Sequence, residues 1–524
     1  MHENRRQRLW AVNRMTSDDE FLRIYEGDLP QTADNLADLL AAKARLFDRG
    51  RVLVELGTDA AKVLHTRPLT VNGVVRIAHQ FCQPFRLVEN TKKLVTLPEQ
   101  VARLYLDRPN WGVPPLAGIC TTPLIRDDGS IQTKRGYDEA TQTWVERLPK
   151  LQVPERPTRR EAEAALLLLR QWFRTFCFRD STLIPDGGIS VVDLGKPPGM
   201  DESCALTGLL TAVARASLWL APGVVVVAPR MSGAGTGKAL LLRGISAIAF
   251  GLQPSAFSRG SDLQEMDKRL VAAFVDGEPG VLLDNLNETT LRSDTLASAL
   301  TERPAKMRVL GKSAMLPLNS AAFVMLTGNA LTVSEDLTRR LIPVHLDART
   351  EDPEARPFEP GFLEKTTAER PRLLAAALTI IRWGRLFELP RGMSIGSYET
   401  WSEWVRDPLV ALGCQDAVRA MRAQKEADPR RAEIAEVFRL WWWDHWSRPV
   451  RASELSERVR KLLDPQERGR QHVAAKLPGL VGTRMAGFVM TSDVGSAKRS
   501  VATYALRWTG DHDKAPPHGA PMEN

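Results

Sequence analysis

Short apolar runs alternate with helical periodicity through the middle of the chain. Runs of about four to six apolar residues bounded by turn residues are typical of buried strands, whereas apolar positions three and four residues apart are typical of helices. This alternation predicts βαβ units, and hence an α/β fold built on a parallel sheet. The predicted strands of the sheet are 189–192, 224–227, 281–283, 322–326 and 341–346.

The segment before this region has a different pattern. A short helix is predicted at 36–47, strands at 51–56 and 86–88, and hairpins at 125–131 and 136–145, which together indicate an α+β N-terminal domain. Pro154 and Pro157 mark a linker, and Thr158 is the predicted N-cap of the next helix.

The segments after the alternating region predict smaller units. Residues 371–389 form a helix that is a candidate lid, and the charged, Ala-rich segment 419–431 is a helix or connector. The last 16 residues contain three prolines and lack apolar periodicity, so we expect them to be disordered. The predicted domains are 1–155, 156–365 (the sheet), 366–431 (lid and connector) and 432–508, followed by the tail 509–524.

Composition supports a globular protein of several domains. A chain of 524 residues is too long for one ordinary core, and 43% hydrophobic with 26% charged residues excludes a wholly disordered, fibrous or membrane chain. The longest apolar tract, 206–228, is interrupted by Arg215 and Pro222, so no transmembrane segment is predicted. The arginines near the start are not followed by an apolar segment, so no secretory signal is predicted and we expect a cytoplasmic protein.

The cysteines and the net charge limit the kinds of site and partner that the chain is expected to have. The five cysteines are far apart and form no C-x-x-C pair, which indicates neither a zinc site nor a disulfide framework. A net charge of +8 and a pI near 9.3 favour a polyanionic partner, although proteins that never contact nucleic acid also carry such charge.

A glycine-rich segment between strand 224–227 and the next helix is the main candidate site. Glycines let backbone N–H groups approach a phosphate closely, and the following helix presents its positive end. Lys238 is placed to reach the β- and γ-phosphates of a nucleotide. Against the motif G-x-x-x-x-G-K-[ST], Ser232 replaces the first Gly and Ala239 replaces the hydroxyl residue that holds Mg²⁺. The alternative is a turn that only joins strand to helix. The candidate nucleotide-binding residues are Ser232, Gly233, Ala234, Gly235, Thr236, Gly237, Lys238 and Ala239.

Three further segments supply candidate catalytic residues. Strand 281–283 ends in Asp284, the candidate Mg²⁺ partner, followed by Asn285, which can orient water but cannot accept its proton. Strand 322–326 leads to Asn329, a candidate sensor of the γ-phosphate. Arg339 and Arg340 precede the last strand and are candidates to act on the nucleotide of a neighbouring subunit, or else form a surface ion pair.

Five segments together resemble a known family. They are G-A-G-T-G-K, V-L-L-D-N, R-V-L-G-K-S, L-T-G-N and D-L-T-R-R-L-I-P-V-H-L-D. They resemble the ATPase portion of phage, plasmid and integrative-element primase-helicases, which are superfamily-three-like members of the AAA+ P-loop NTPases. The resemblance covers about residues 30–420 and implies ATP and Mg²⁺ as cofactors and a homo-hexameric ring on single-stranded or forked DNA. No primase module is evident upstream, so priming would come from a separate protein.

Candidate DNA contacts lie in two places. Residues 307–317 read as two short strands around a tip that carries Lys312, which suits a contact with the phosphate backbone, although an ordinary hairpin would look the same. Residues 432–508 resemble a winged helix, and their candidate contacts are Arg470, Lys476, Lys498 and Arg499. The tryptophan run 441–443 is interpreted as core.

Two functions follow from these patterns. The first is an ATP hydrolase, a DNA-dependent ATPase or helicase in replication of a mobile element, phage or plasmid. The alternative is a nucleotide-binding DNA-attachment protein with little or no hydrolysis, for which Ala239 and Asn285 argue.

Overall fold

A computed structural model describes residues 21–60, 63–146, 148–230, 233–258, 263–287, 290–308, 315–356, 358, 360–393, 395–426, 429–493 and 502–510. Contacts divide the chain into two compact units, residues 1–421 and 422–524. The predicted division of the first unit at 155 and 365 stays a prediction. Among the described residues, no helix is long and apolar enough to cross a membrane.

The N-terminal part of the first unit combines small sheets with short helices. Its helices α1 to α3 enclose an apolar cluster that includes Leu36, Leu40, Val74 and Val101. Both predicted hairpins are confirmed, as β8–β9 and β10–β11. The helix predicted at 36–47 instead ends at Lys43, and Leu46 begins a strand. The elements are β1 (Phe21–Arg23), α1 (Leu29–Lys43), β2 (Leu46–Asp48), β3 (Leu53–Thr58), β4 (Leu64–Pro68), α2 (Val71–Phe81), β5 (Gln83–Val88), β6 (Thr91–Leu94), α3 (Glu99–Leu106), β7 (Gly118–Cys120), β8 (Leu124–Ile125), β9 (Ile131–Gln132), β10 (Gly136–Asp138) and β11 (Thr143–Val145).

The middle of the first unit contains the predicted parallel sheet. The elements are α4 (Arg159–Phe173), β12 (Leu183–Asp186), β13 (Ile189–Val192), α5 (Met200–Ala214), β14 (Gly223–Ala228), α6 (Lys238–Phe250), β15 (Ser255–Phe257), α7 (Leu263–Asp276), β16 (Gly280–Leu283), β17 (Thr290–Leu291), α8 (Asp294–Thr301), β18 (Ala305–Arg308), β19 (Met315–Leu318), β20 (Phe323–Asn329), β21 (Thr332–Val333), α9 (Glu335–Thr338) and β22 (Leu341–His345). Five described strands pair in parallel in the order β15-β16-β20-β14-β22.

Strand β14 lies at the centre of this sheet, between β20 and β22. All six of its residues are buried, and its valines alternate between two cores: Val224 and Val226 face one cluster, whereas Val225 and Val227 face the other. A strand covered on both faces reads as a continuous apolar run, which is why the sequence marked it clearly.

One predicted strand of the sheet belongs elsewhere. Residues 189–192 form β13, but β13 pairs antiparallel with β12 in a two-stranded sheet. The apolar run resembled a sheet strand, yet only its last two residues are buried. The N-cap prediction for α4 is confirmed, because Thr158 forms a capping box with Glu161.

Helices that follow the sheet complete the first unit. Helix α11 packs along α4 and corresponds to the predicted lid helix 371–389. Its first residue, Arg370, is buried and donates to the carbonyls of Ile248, Ala249 and Thr121, so it satisfies the end of α6. The elements are α10 (Phe362–Ala368), α11 (Arg370–Leu386), α12 (Glu399–Trp401), a π-helical segment (Ser402–Arg406), α13 (Asp407–Ala411) and α14 (Ala417–Glu426).

The second unit has its own core. Trp441, Phe438, Val459 and Leu506 contribute to that core, and its described strands form an antiparallel sheet in the order β23-β26-β25-β24. The elements are α15 (Pro429–His445), β23 (Val450–Arg451), α16 (Glu457–Leu463), α17 (Arg470–Lys476), β24 (Arg484–Met485), β25 (Phe488–Asp493) and β26 (Thr503–Trp508). Residues 511–524 of the predicted tail lie outside the described residues.

Candidate functional site

The carboxyl ends of three strands bring the candidate residues of the first unit together. Ala228, the last residue of β14, lies opposite Asn329, the last residue of β20, and Leu283 of β16 lies opposite Leu326. Residues that follow parallel strands meet at one edge of the sheet, which is where ligands bind in open α/β folds. The described residues of the glycine loop (229–237), together with Asp284 and Asn329, therefore share this edge.

Hydrogen bonds within the described part of the glycine loop hold its conformation. Gly235 and Gly237 have φ of +72° and +86°, in the left-handed region that favours glycine. The Thr236 hydroxyl donates to the carbonyl of Gly233 at 2.9 Å, and the Lys238 ammonium donates to the same carbonyl at 2.5 Å. Lys238 is the first residue of α6. Ser232 lies outside the described residues.

The surroundings of Lys238 shift the pKa of its ammonium. Burial lowers the pKa of its ammonium, and the nearby carboxylate of Asp284 and the thiol of Cys177 oppose that shift. The carboxylate of Asp284, the candidate Mg²⁺ ligand, is therefore close enough to Lys238, the candidate phosphate contact, to influence its charge. Ala239 follows Lys238 in the helix and, having no hydroxyl, offers no side-chain ligand.

A hydrogen-bond network fixes the residues after β16. Thr327 donates its hydroxyl proton to Asp284 Oδ1 at 2.5 Å and accepts the backbone N–H of Asn285 at 2.9 Å. Asn287 donates its side-chain amide to Asn285 Oδ1 at 2.5 Å and accepts the backbone N–H of Asn329 at 2.7 Å. The sequence reasoning missed Thr327 and Asn287. Thr327 is a polar residue near the end of a buried apolar strand, and this was the available signal; Asn287 is exposed in the turn after β16 and carried none.

Asn329 faces the glycine loop. Its Oδ1 atom is buried and accepts no hydrogen bond from the described residues. A Cβ atom built on Gly233 would lie 2.5 Å from this oxygen, so only glycine at 233 leaves room for Asn329 in this position. A buried, unsatisfied amide oxygen beside a phosphate-type loop is the kind of atom that a ligand or its water would satisfy.

A segment after β22 packs against the loop, and the sequence did not predict this contact. A Cβ atom built on Gly235 would lie 2.8 Å from the backbone N and Cα of Glu354, and one on Gly237 would lie 2.8 Å from Cζ of Phe358. The guanidinium of Arg356 anchors this segment, because it donates to the carbonyl of Thr175 and lies 5.2 Å from the Phe358 ring centroid. Both glycines therefore permit close packing as well as the positive φ.

Arg339 and Arg340 lie at the other end of the sheet. The Arg340 carbonyl accepts the N–H of Gly223, the first residue of β14, about 20 Å from the glycine loop at roughly 3.3 Å per strand residue. The Arg340 side chain is only 10% exposed and lies 2.9 Å from Asp336, whereas that of Arg339 is 62% exposed. The structure does not bring either arginine to Lys238 of the same chain, and action on a neighbouring subunit stays a prediction.

The structure describes only some of the residues that are predicted to contact DNA. The hairpin around Lys312 is present as β18 and β19, but its tip lies outside the described residues, as do Lys498 and Arg499. Arg470 is exposed at the start of α17. Lys476 is also exposed, but its ammonium donates to the carbonyl of Leu463 at 2.5 Å, at the end of α16. Its contact with DNA stays a prediction.

Comparisons with known proteins add little to this geometry. No protein-family model and no curated protein matches the sequence. Among solved structures, the A form apo structure of the C-terminal region of NrS-1 matches at 10% identity, covering 86% of this chain and 96% of that chain with a TM-score of 0.36. A TM-score at this level supports no conclusion about the function of this chain.

Proposed function

We propose that this chain binds ATP on the glycine loop and uses it in a DNA-handling reaction, as an AAA+ P-loop ATPase would. The proposal rests on one observation: Gly233, Lys238, Asp284 and Asn329 converge at the carboxyl edge of a parallel sheet. Three separate segments supply these residues, so a turn that merely joins strand to helix would not require the convergence.

The residues present fit a nucleotide and its Mg²⁺. Backbone N–H groups at the start of α6 and the ammonium of Lys238 would bind the phosphate oxygens, and the helix dipole would add to this attraction. Asp284 would hold Mg²⁺, directly or through water, with its second oxygen, because Thr327 already occupies the first. When bound, Mg²⁺ would neutralise charge that develops on the phosphates. The unsatisfied Oδ1 of Asn329 is an acceptor, so it would hold a water molecule, whereas a γ-phosphate oxygen would need the side-chain N–H of the same amide.

The DNA-handling part of the proposal has separate support. The second unit contains a helix, a strand, two helices and two longer strands in the order that a winged helix requires, and Arg470 is exposed on its third helix. The sequence resemblance adds a hexameric ring, single-stranded or forked DNA, and a separate primase in replication of a mobile element, phage or plasmid. In such a ring, Arg339 is the arginine that could reach a neighbouring nucleotide without unfolding its surroundings.

Nucleotide binding with and without Mg²⁺ tests the proposal, followed by ATP turnover with and without single-stranded DNA. Lys238→Ala should abolish tight ATP binding, whereas Lys268→Ala, an exposed lysine on α7, should leave it unchanged. ATP affinity that is unaffected by Lys238→Ala would show that the glycine loop is not the nucleotide site.

Binding without turnover is the second candidate function, and Ala239 favours it. A hydroxyl at this position normally supplies a ligand to Mg²⁺. Ala239→Ser should therefore raise turnover if the chain binds ATP but hydrolyses it slowly. A chain whose turnover is already stimulated by DNA, and is not increased by Ala239→Ser, would instead be an active ATPase.

A further inference from the structure

Four tryptophans lie close together at the end of α15. Successive residues of a helix point about 100° apart, so Trp441, Trp442 and Trp443 cannot all face one core. Trp441 and Trp442 are buried, whereas Trp443 is 46% exposed and Trp446, just beyond the helix, is 49% exposed. The interpretation of the run as core therefore holds for its first two residues only.

The backbone at Trp446 is unusual for so large a residue. Its N–H donates to the carbonyl of Trp442, which closes the last turn of α15, and its φ is +54°. Glycine is the common residue where a helix ends in this left-handed conformation, and a bulky residue there is an outlier. The Trp446 indole packs edge-to-face on the buried Trp442 ring, with centroids 6.3 Å apart, and this contact offsets the strain. The other half of the indole remains exposed.

Arginines and carboxylates both lie around the two exposed indoles. Arg448 is exposed two residues after Trp446, and Arg439 lies one turn before Trp443 with its side chain 3.7 Å from Glu436. Asp444 lies between the two tryptophans in sequence, but it accepts hydrogen bonds from Ser456 and from the Arg458 guanidinium. Its charge is thereby balanced within the second unit.

We propose that Trp443, Trp446, Arg439 and Arg448, together called the tryptophan surface, bind single-stranded nucleic acid. Indole faces stack on bases, and guanidinium groups attract the phosphates between them; this combination is typical of single-strand binding with little sequence preference. Duplex bases are already stacked on one another and leave no face for the indoles. The proposal rests on the DNA-handling function proposed above, but it assigns single-strand contact to residues outside the predicted winged-helix contacts.

Fluorescence anisotropy of a labelled oligothymidylate tests the surface with the full-length chain. Trp443→Ala and Trp446→Ala should each weaken binding by about 5- to 100-fold, the range expected for the loss of one stacked base. Trp219→Ala is the matched control, because Trp219 is 58% exposed but belongs to the first unit, and its removal should leave the affinity unchanged.

An abasic strand of the same length separates stacking from charge. Both tryptophan variants should bind this strand like the parent chain, since no base is present to stack. Arg448→Ala should weaken binding to both strands and reduce the slope of log affinity against log salt by about 0.7 per lost phosphate contact. An equal loss on both strands in the tryptophan variants would overturn the stacking mechanism.

Folding and nucleotide binding give independent checks. Trp446→Gly relieves the left-handed strain, so it should retain a folded second unit and still lose single-strand affinity. ATP binding should be unchanged in every variant of the surface, and Lys238→Ala should leave single-strand binding in the absence of ATP intact. The proposal is overturned if both tryptophan variants bind the oligonucleotide like the parent chain, or if the parent chain does not bind it. It is also overturned if the tryptophan variants lose self-association while they keep their affinity for the oligonucleotide.

Discussion

The contact between Gly237 and Phe358 allows a quantitative test of how the glycine loop is held. Gly237→Ala places a methyl group 2.8 Å from Cζ of Phe358 while the backbone keeps its φ of +86°. The left-handed conformation costs alanine about 1–2 kcal/mol. Overpacking against the ring costs about 1–3 kcal/mol more, so the free energy of unfolding should fall by roughly 2–5 kcal/mol.

A second substitution separates the two costs. Phe358→Leu removes the ring atoms that the new methyl group would meet but leaves the backbone strain, so the double variant should recover about 1–3 kcal/mol relative to the sum of the single changes. Urea unfolding of the parent chain, the two single variants and the double variant, monitored by circular dichroism, measures this coupling.

Gly235 supplies the matched comparison. Its φ of +72° is similar, but the atoms that a methyl group would meet include the backbone N and Cα of Glu354. Glu354→Ala removes the Cγ atom at 2.7 Å but neither backbone atom, so much of the clash remains and its coupling with Gly235→Ala should be smaller than that between Gly237 and Phe358. Equal couplings for the two pairs, or none for Gly237 and Phe358, would refute the packing of this segment on the loop.

Three other residues give direct predictions. Thr327→Val should weaken Mg²⁺-dependent ATP binding measured by calorimetry, because it removes the hydroxyl that orients Asp284, whereas Thr327→Ser should preserve binding. ATP affinity should fall as the pH rises through the lowered pKa of Lys238, because the bound phosphate raises that pKa and binding therefore takes up a proton. The Lys238→Arg variant should bind ATP with less dependence on pH, since arginine stays protonated. Arg370→Met should lower the free energy of unfolding in urea by about 3 kcal/mol, since buried carbonyls lose their donor, whereas Arg372→Met, exposed on the same helix, should change it by less than about 0.5 kcal/mol.

The sequence predicted the centre of the sheet well because burial leaves a strong local signal there. Strands β14, β16, β20 and β22 were all found as apolar runs, each within a few residues of its observed bounds. Strand β15 was missed, since its three residues are exposed or half-exposed and lie at the edge of the sheet. An edge strand of this length has neither a continuous apolar run nor a clear alternation.

The candidate site was predictable only where a motif marks it. Glycine spacing identified the loop and a strand-end carboxylate identified Asp284, because these features are local in sequence. Thr327, Glu354 and Phe358 could not be assigned in the same way, since their roles depend on which segments the fold brings together. Arg340 illustrates the same point, because an adjacent pair of arginines does not reveal which member is buried.

Backbone geometry bears on whether the loop supports rapid hydrolysis. Asn285 has a φ of +62°, and its amide oxygen is occupied by Asn287. Asparagine tolerates the left-handed region better than glutamate does, so a catalytic glutamate at 285 would be strained in this turn. The Thr236 hydroxyl is likewise committed to the Gly233 carbonyl. Restoring a glutamate at 285 should therefore gain less turnover than restoring a hydroxyl at 239, because α6 accommodates serine without changing the backbone.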